Sequence, residues 1–280
     1  MKKFKKLIPA FCMLLVSVVM LGSSTFAWFS MNNKVTASGL DVTAKSNTQF
    51  LVIANTLTEG KVADTTTVAT ADLSSTKVGA DDNKVLPVSL FDSTNVWYNG
   101  EKDTAEANKH KYDDNSAAKA GDWFTANSPK YDAATGTNNV ITNVKKVDST
   151  KSVEFGKYVL TYKCYIALAK GSDALKTTIK AKVVSANAGN TELDQAIKVA
   201  MTVTQNGGTA ATPVNVGTTE VEFKNGTGDF DLTKTDETTN NKFVEVVIYV
   251  YIDGFATNVK SQDFQEITGK LSVEFTAVAM

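Results

Sequence analysis

Apolar and polar residues alternate with a period of two through most of the second half of the chain. At 243–252, Val244, Val246, Ile248, Val250 and Ile252 fall on one side; Glu245, Val247, Tyr249 and Tyr251 fall on the other. An extended strand with a buried face requires that period. Both sides of this run are largely apolar, so it is predicted to be a central strand. The run at 157–169 alternates in the same way, with Tyr158, Leu160, Tyr162, Cys164, Ile166 and Leu168 on one face. Leu175 to Ser185 repeats the pattern, and Gly171-Ser172-Asp173 between the two predicts an antiparallel hairpin. Ile197, Val199, Met201 and Val203 alternate up to Asn206-Gly207-Gly208, read as a hairpin turn. Val221 with Phe223, and Phe230 with Leu232, mark short strands on either side of Asn225-Gly226. Leu271, Val273, Phe275, Ala277 and Ala279 predict a last strand, and Thr191 to Gln195 a single helical turn.

The first half is less regular. Leu40, Val42 and Ala44 oppose Asp41, Thr43 and Lys45, and a second short strand is expected at 49–54 after Ser46-Asn47. Residues 55–84 read as surface loops with a weak strand. Lys84 to Phe91 reads as a strand in which Pro87 points to an edge or a bulge. From Asp92 to Lys151 the periodicity fades, while Trp97, Tyr98, Tyr112, Trp123, Phe124 and Tyr131 are scattered through polar sequence. Such a stretch is too long for a plain connection and too aromatic for disorder. It reads as an insertion or elaborated loop region, residues 92–151, with its aromatics pinning it to the domain. Many short strands without strand–helix alternation predict an all-β protein, an antiparallel β-sandwich of jelly-roll type with a long loop-rich insertion.

The N-terminus breaks the pattern. Lys2, Lys3, Lys5 and Lys6 precede an apolar run from Leu7 to Leu21, and Thr25-Phe26-Ala27 follows. A basic start, a short apolar helix and small residues before a cut define a secretory signal peptide. The run falls short of the roughly 20 residues that span a bilayer. Cleavage is expected between Ala27 and Trp28, giving a signal peptide at 1–27 and one domain at 28–280. Signal peptidase is then a partner during export, and membrane association ends with the cut. Cys12 leaves with the signal, so Cys164 remains alone, with no partner for an intramolecular disulfide.

The junction Ala27-Trp28-Phe29-Ser30, with Asn33 and then Val35-Thr36-Ala37-Ser38-Gly39-Leu40-Asp41-Val42, resembles the start of the TasA/camelysin-like exported proteins of Gram-positive bacteria. The resemblance covers about 20 residues, with a weaker echo in the last 40. It implies a jelly-roll sandwich at the cell surface or in the biofilm matrix. It also implies assembly of fibres by passing the mature N-terminal strand into a neighbouring subunit. Some members are described as surface metalloproteases. In this chain the donor residues are expected to be Trp28, Phe29, Met31 and Val35, whose apolar side chains would be costly to leave exposed.

Composition narrows the chemistry. All 29 basic residues are Lys, and removing the signal takes out four Lys and no acid, moving the net charge from −1 to −5. Without Arg, and with an acidic balance, a nucleic-acid partner is not expected. One His, His110, and no HExxH pattern cannot build a usual zinc-protease site. His110 is expected on an exposed loop, and Cys164 as a buried structural thiol. Asp81-Asp82-Asn83, Asp113-Asp114-Asn115 and Asp229-Phe230-Asp231 carry oxygens that could ligate Ca²⁺, but none fits an EF-hand loop, and solvated turns are the preferred reading. No cofactor or catalytic residue is expected.

The sequence at Ala279-Met280 carries no wall-anchoring motif, so surface retention is expected to rest on assembly or a partner. Two functions follow from different classes. One is an exported, self-assembling structural subunit of the cell surface or matrix. The other is a secreted monomeric module that holds a glycan or protein ligand on residues 92–151, with Trp97, Tyr98, Trp123 and Phe124 as stacking platforms.

Overall fold

The structure is a computed structural model that describes residues 41–46, 51–62, 70–73, 76–80, 84–94, 96–100, 106–130, 139–169, 172–185, 196–234, 242–255, 265–266 and 271–279. The signal segment, the residues Ala27, Trp28, Phe29, Met31 and Val35, the turn expected at 191–195 and the Asp81-Asp82-Asn83 cluster lie outside the described residues.

The alternating runs fold as strands. The first half contains β1 (Asp41–Ser46), β2 (Leu51–Ala54), β3 (Leu57–Thr58), β4 (Lys61–Val62) and β5 (Thr70–Asp72). It continues with β6 (Lys84–Val85), β7 (Ser89–Leu90), β8 (Trp97–Asn99), β9 (Trp123–Lys130) and β10 (Asn139–Val147). A single-turn helix α1 (Ser152–Phe155) then leads into β11 (Val159–Leu168), β12 (Leu175–Ser185), β13 (Ile197–Gln205) and β14 (Val214–Val216). The chain closes with β15 (Val221–Phe223), β16 (Phe230–Leu232), β17 (Val244–Ile252), β18 (Gln265–Glu266) and β19 (Leu271–Ala279).

Two sheets carry the domain. One has the order β15-β12-β19-β1-β5, with β16 also on β12; the other has the order β14-β13-β17-β11-β2. Their inner faces share one core. Leu160, Tyr162, Cys164, Ile166, Met201, Val203, Val246, Ile248 and Val250 from the second sheet meet Ile179, Ala181, Phe223, Phe230, Val273, Phe275 and Ala277 from the first. Each buried Val, Leu, Ile, Met or Phe among them contributes on the order of 1.5 to 3 kcal/mol. The chain crosses between sheets from β11 to β12 to β13, and again from β16 to β17 to β19. That winding makes an antiparallel β-sandwich of jelly-roll type, as the alternation predicts.

Strand β17 is central, paired to β13 on one side and β11 on the other. The hairpin expected from β11 and β12 does not form. β11 pairs with β17 and β2, whereas β12 pairs with β19, β15 and β16 in the other sheet. Each strand has one apolar face, and the segment between them is long enough to cross the core, roughly 10 Å thick. The run from Lys84 to Phe91 also divides at Pro87 into β6 and β7. The turn at Gly207 forms, with a positive φ of 75°, and the Gly208 N–H donates to the Gln205 carbonyl at 2.8 Å. β14 then returns antiparallel to β13.

Residues 92–151 are more regular than the sequence suggests. β7, β9, β10 and β8 form a four-stranded sheet in that order. The β9–β10 ladder shifts register on either side of Thr142, next to Asn143, whose φ is 52°. The expected anchoring by aromatics is present. Trp123 packs its ring against Tyr251 at 4.9 Å, Phe155 at 5.5 Å and Tyr249 at 5.6 Å. The Tyr249–Tyr251 end of the outer face of β17 is thus covered by this added sheet, which explains the aromatics on that side.

Candidate functional site

The terminal strands are the first feature. β1 lies between β19 and β5, parallel to β19 from Asp41↔Ser272 to Ser46↔Ala277 and antiparallel to β5. Among the described residues every other ladder of the two large sheets is antiparallel. Among the described residues the ladder from β1 to β5 covers Asp41 to Thr43, and the ladder to β19 covers Asp41 to Ser46. Asp41↔Asp72 fixes the end of the sheet at which the chain enters β1 and leaves β5. Short edge strands limit pairing with other chains, and β5 and β14 have three residues each.

A groove is the second feature. The chain leaving β5 buries Leu73, turns through a hydrogen bond from the Thr76 N–H to the Leu73 carbonyl, and reaches Val78. Val78 then exchanges two 2.8 Å hydrogen bonds with Thr161 on β11. Beside it lies a cavity of ≈ 670 Å³ lined by Val78, Gly79, Ala80, Lys84, Val153 and Gly156 among others. Val153 is 80% exposed and Val78 50% exposed, the two most exposed large apolar side chains among the described residues. Gly79 and Gly156 touch backbone to backbone. A Cβ on Gly156 would meet the Gly79 Cα at 2.9 Å, and Gly79 itself has φ 134°. No side chain can rise between the two walls at that point.

A third feature joins the added sheet to the sandwich. The Ser89 hydroxyl and the Phe255 N–H both donate to Asp253 Oδ1, each at 3.1 Å. Burial raises the Asp253 pKa above the ordinary carboxylate value, and nearby Asp92 adds to the rise. The N–H of Phe255, the hydroxyl of Ser89 and the charge of Lys198 oppose it.

The sequence-predicted residues fall as follows. His110 does not sit on an exposed loop. It is half-buried, with its ring 4.7 Å from Phe91 and 5.4 Å from Trp97. Its N–H donates to the Trp97 carbonyl at 3.1 Å and its carbonyl accepts from Ala118 at 2.8 Å. The polar neighbours Lys109 and Lys111 concealed this, because the aromatic partners are distant in sequence. Cys164 is fully buried among apolar residues, and that burial pushes its thiol pKa up. Asp113 Oδ1 accepts from Asn99 Nδ2 and from the Val144 N–H, both at 3.0 Å, while Asp114 caps Ser116. In the third acidic group Phe230 is in the core, and Asp231 pairs with Lys242 at 3.0 Å. These carboxylates serve turns and ion pairs. Trp97, Tyr98, Trp123 and Phe124 are all buried. Sequence reasoning had no signal for the groove, since its walls come from segments some 70 residues apart, or for Asp253.

The fold therefore defines an antiparallel β-sandwich protein with an added four-stranded sheet. No protein-family model, curated protein or solved structure matches the chain. Among the described residues no helix is long and apolar enough to cross a membrane, and no group of three or more His, Cys, Asp or Glu side chains gathers to hold a metal.

Proposed function

We propose that the chain is an exported structural subunit that assembles with copies of itself at the cell surface or in an extracellular matrix. Its mature N-terminal segment, beginning at Trp28, acts as the donor strand, with Trp28, Phe29, Met31 and Val35 as the apolar residues transferred. The observation that carries this reading is the place of β1. The strand that follows the aromatic segment enters the sheet parallel to the last strand, the one parallel ladder of the two large sheets among the described residues. A sheet can accept a strand from another subunit through main-chain hydrogen bonds. A head-to-tail contact of that kind does not close on itself and so propagates. The role needs no catalytic residue or cofactor. The rival reading is a secreted monomeric module for a glycan or protein ligand; its glycan form has less support, because the four aromatics it would stack on are buried.

The test compares two lengths of chain. Residues 28–280 are expected to form filaments visible by electron microscopy. A chain starting at Lys34 is expected to stay folded and monomeric by light scattering. A peptide of residues 28–40 should bind that shorter chain and raise its Tm. Filaments of unchanged form from the shorter chain would overturn the reading.

A further inference from the structure

We infer that the groove between Val78 and Val153 is the docking place for the Trp28-Phe29 end of the same chain while the subunit is alone. The inference rests on the proposed export reading only for where the mature chain begins. Its occupant follows from reach and from chemistry.

Reach comes first. Asp41 stands across the ladder from Asp72, a separation of about 5 Å. From Asp72 to Val78 the chain has six residues, so the groove rim lies within roughly 20 Å of Asp72. The segment from Trp28 to Asp41 spans 13 residue-to-residue steps and extends to roughly 45 Å. The aromatic end therefore reaches the groove with slack, from the same end of the sheet. A tether of this length keeps the segment at an effective concentration in the millimolar range. In dilute solution a subunit's own segment thus outcompetes that of a second copy.

Chemistry selects the rings. Val78 and Val153 line the groove, and Gly79 and Gly156 meet there with no room for a side chain between their backbones. A lining that is apolar and bare at that point leaves space for a flat ring beside the two valines. Lys84 and Lys157 also line it, with the Lys157 ammonium paired to Glu154 at 2.9 Å, so their stems add apolar surface beside a docked ring. Trp28 and Phe29 supply two adjacent rings. Val78 and Val153 are among the few large apolar side chains that the described residues leave exposed, so docking covers the groove and the segment together. Transfer of the segment to a neighbour then begins by vacating this groove, and self-docking sets a concentration threshold for assembly.

The test uses residues 28–280, which keep every described element, carrying Ser30→Cys with Val153→Cys. Cys164 is buried and does not compete. Under mild oxidation at high dilution an intrachain disulfide is expected, read as a monomer of altered mobility on a non-reducing gel. The control pairs Ser30→Cys with Val214→Cys, an exposed site on the edge strand of the second sheet remote from β11. The Val153 pair should close at least about tenfold faster. Equal rates in the two proteins, or disulfides only between chains, would overturn the inference. A second reading uses Val153→Asp, which should make Trp28 fluorescence more accessible to acrylamide. No change there would count equally against it. Filament formation is scored separately. An intrachain disulfide in a protein that never forms filaments removes the assembly reading alone, and filaments without that disulfide remove the docking alone.

Discussion

Asp253 shows how much one carboxylate can tie together. It receives hydrogen bonds from Ser89 on β7 and from the backbone after β17, so it spans the added sheet and the sandwich. Its pKa is raised chiefly by burial, which disfavours the charged form. A folded-state pKa above the unfolded value means that the native state holds the proton more tightly. Stability is then greatest below the unfolded pKa and declines as pH rises through the folded one. Asp253→Asn keeps an acceptor at the Oδ1 position and removes the buried charge. At pH 7 we expect it to unfold at equal or higher denaturant, a gain on the order of 0.5 to 1 kcal/mol. The decline of stability above the carboxylate range should also shrink in the variant. Chemical denaturation at pH 4, 5.5 and 7 checks both, and a loss of stability at pH 7 with an unchanged slope would refute the account. His110 teaches the complementary lesson. Its neighbours in sequence are charged, but its neighbours in space are Phe91 and Trp97, so local composition misplaced it.

Strands were legible wherever one face was buried, because alternation reports burial directly. β11, β12, β13, β17 and β19 all lie where the period of two puts them. Partnership was not legible. A strand with one apolar face fits either sheet of a sandwich, and the short link after Leu168 suited a hairpin as well as a crossing. The added sheet escaped notice for another reason. Its strands β9 and β10 are polar along much of their length, and their ladder shifts register twice, which erases the alternation. Its aromatics were the legible part, since only burial explains so many rings in polar sequence. Trp123 carries most of that junction, touching Phe155, Tyr249 and Tyr251 at once. Trp123→Ala should cost roughly 3 to 5 kcal/mol. Denaturant unfolding followed by far- and near-UV circular dichroism should show the loss. A cost below about 1 kcal/mol would mean that the added sheet is held by other contacts.

At the scale of the whole molecule, the pairing of β1 with β19 joins Asp41 to Ser272, residues 231 positions apart. Ribosomes make chains from the N-terminus, so β1 exists long before its principal partner. Pairings this distant in sequence are slow to form, because a long loop must close before any contact rewards it. In refolding followed by pulsed hydrogen exchange, the amides of β1 should gain protection after those of β11 and β17, whose ladder is closer in sequence. Protection of β1 in the earliest phase would contradict this order. Until the two ends meet, β19 lacks its neighbour on the β1 side, so closing this ladder is the step that stitches the first described strand of the chain to its last.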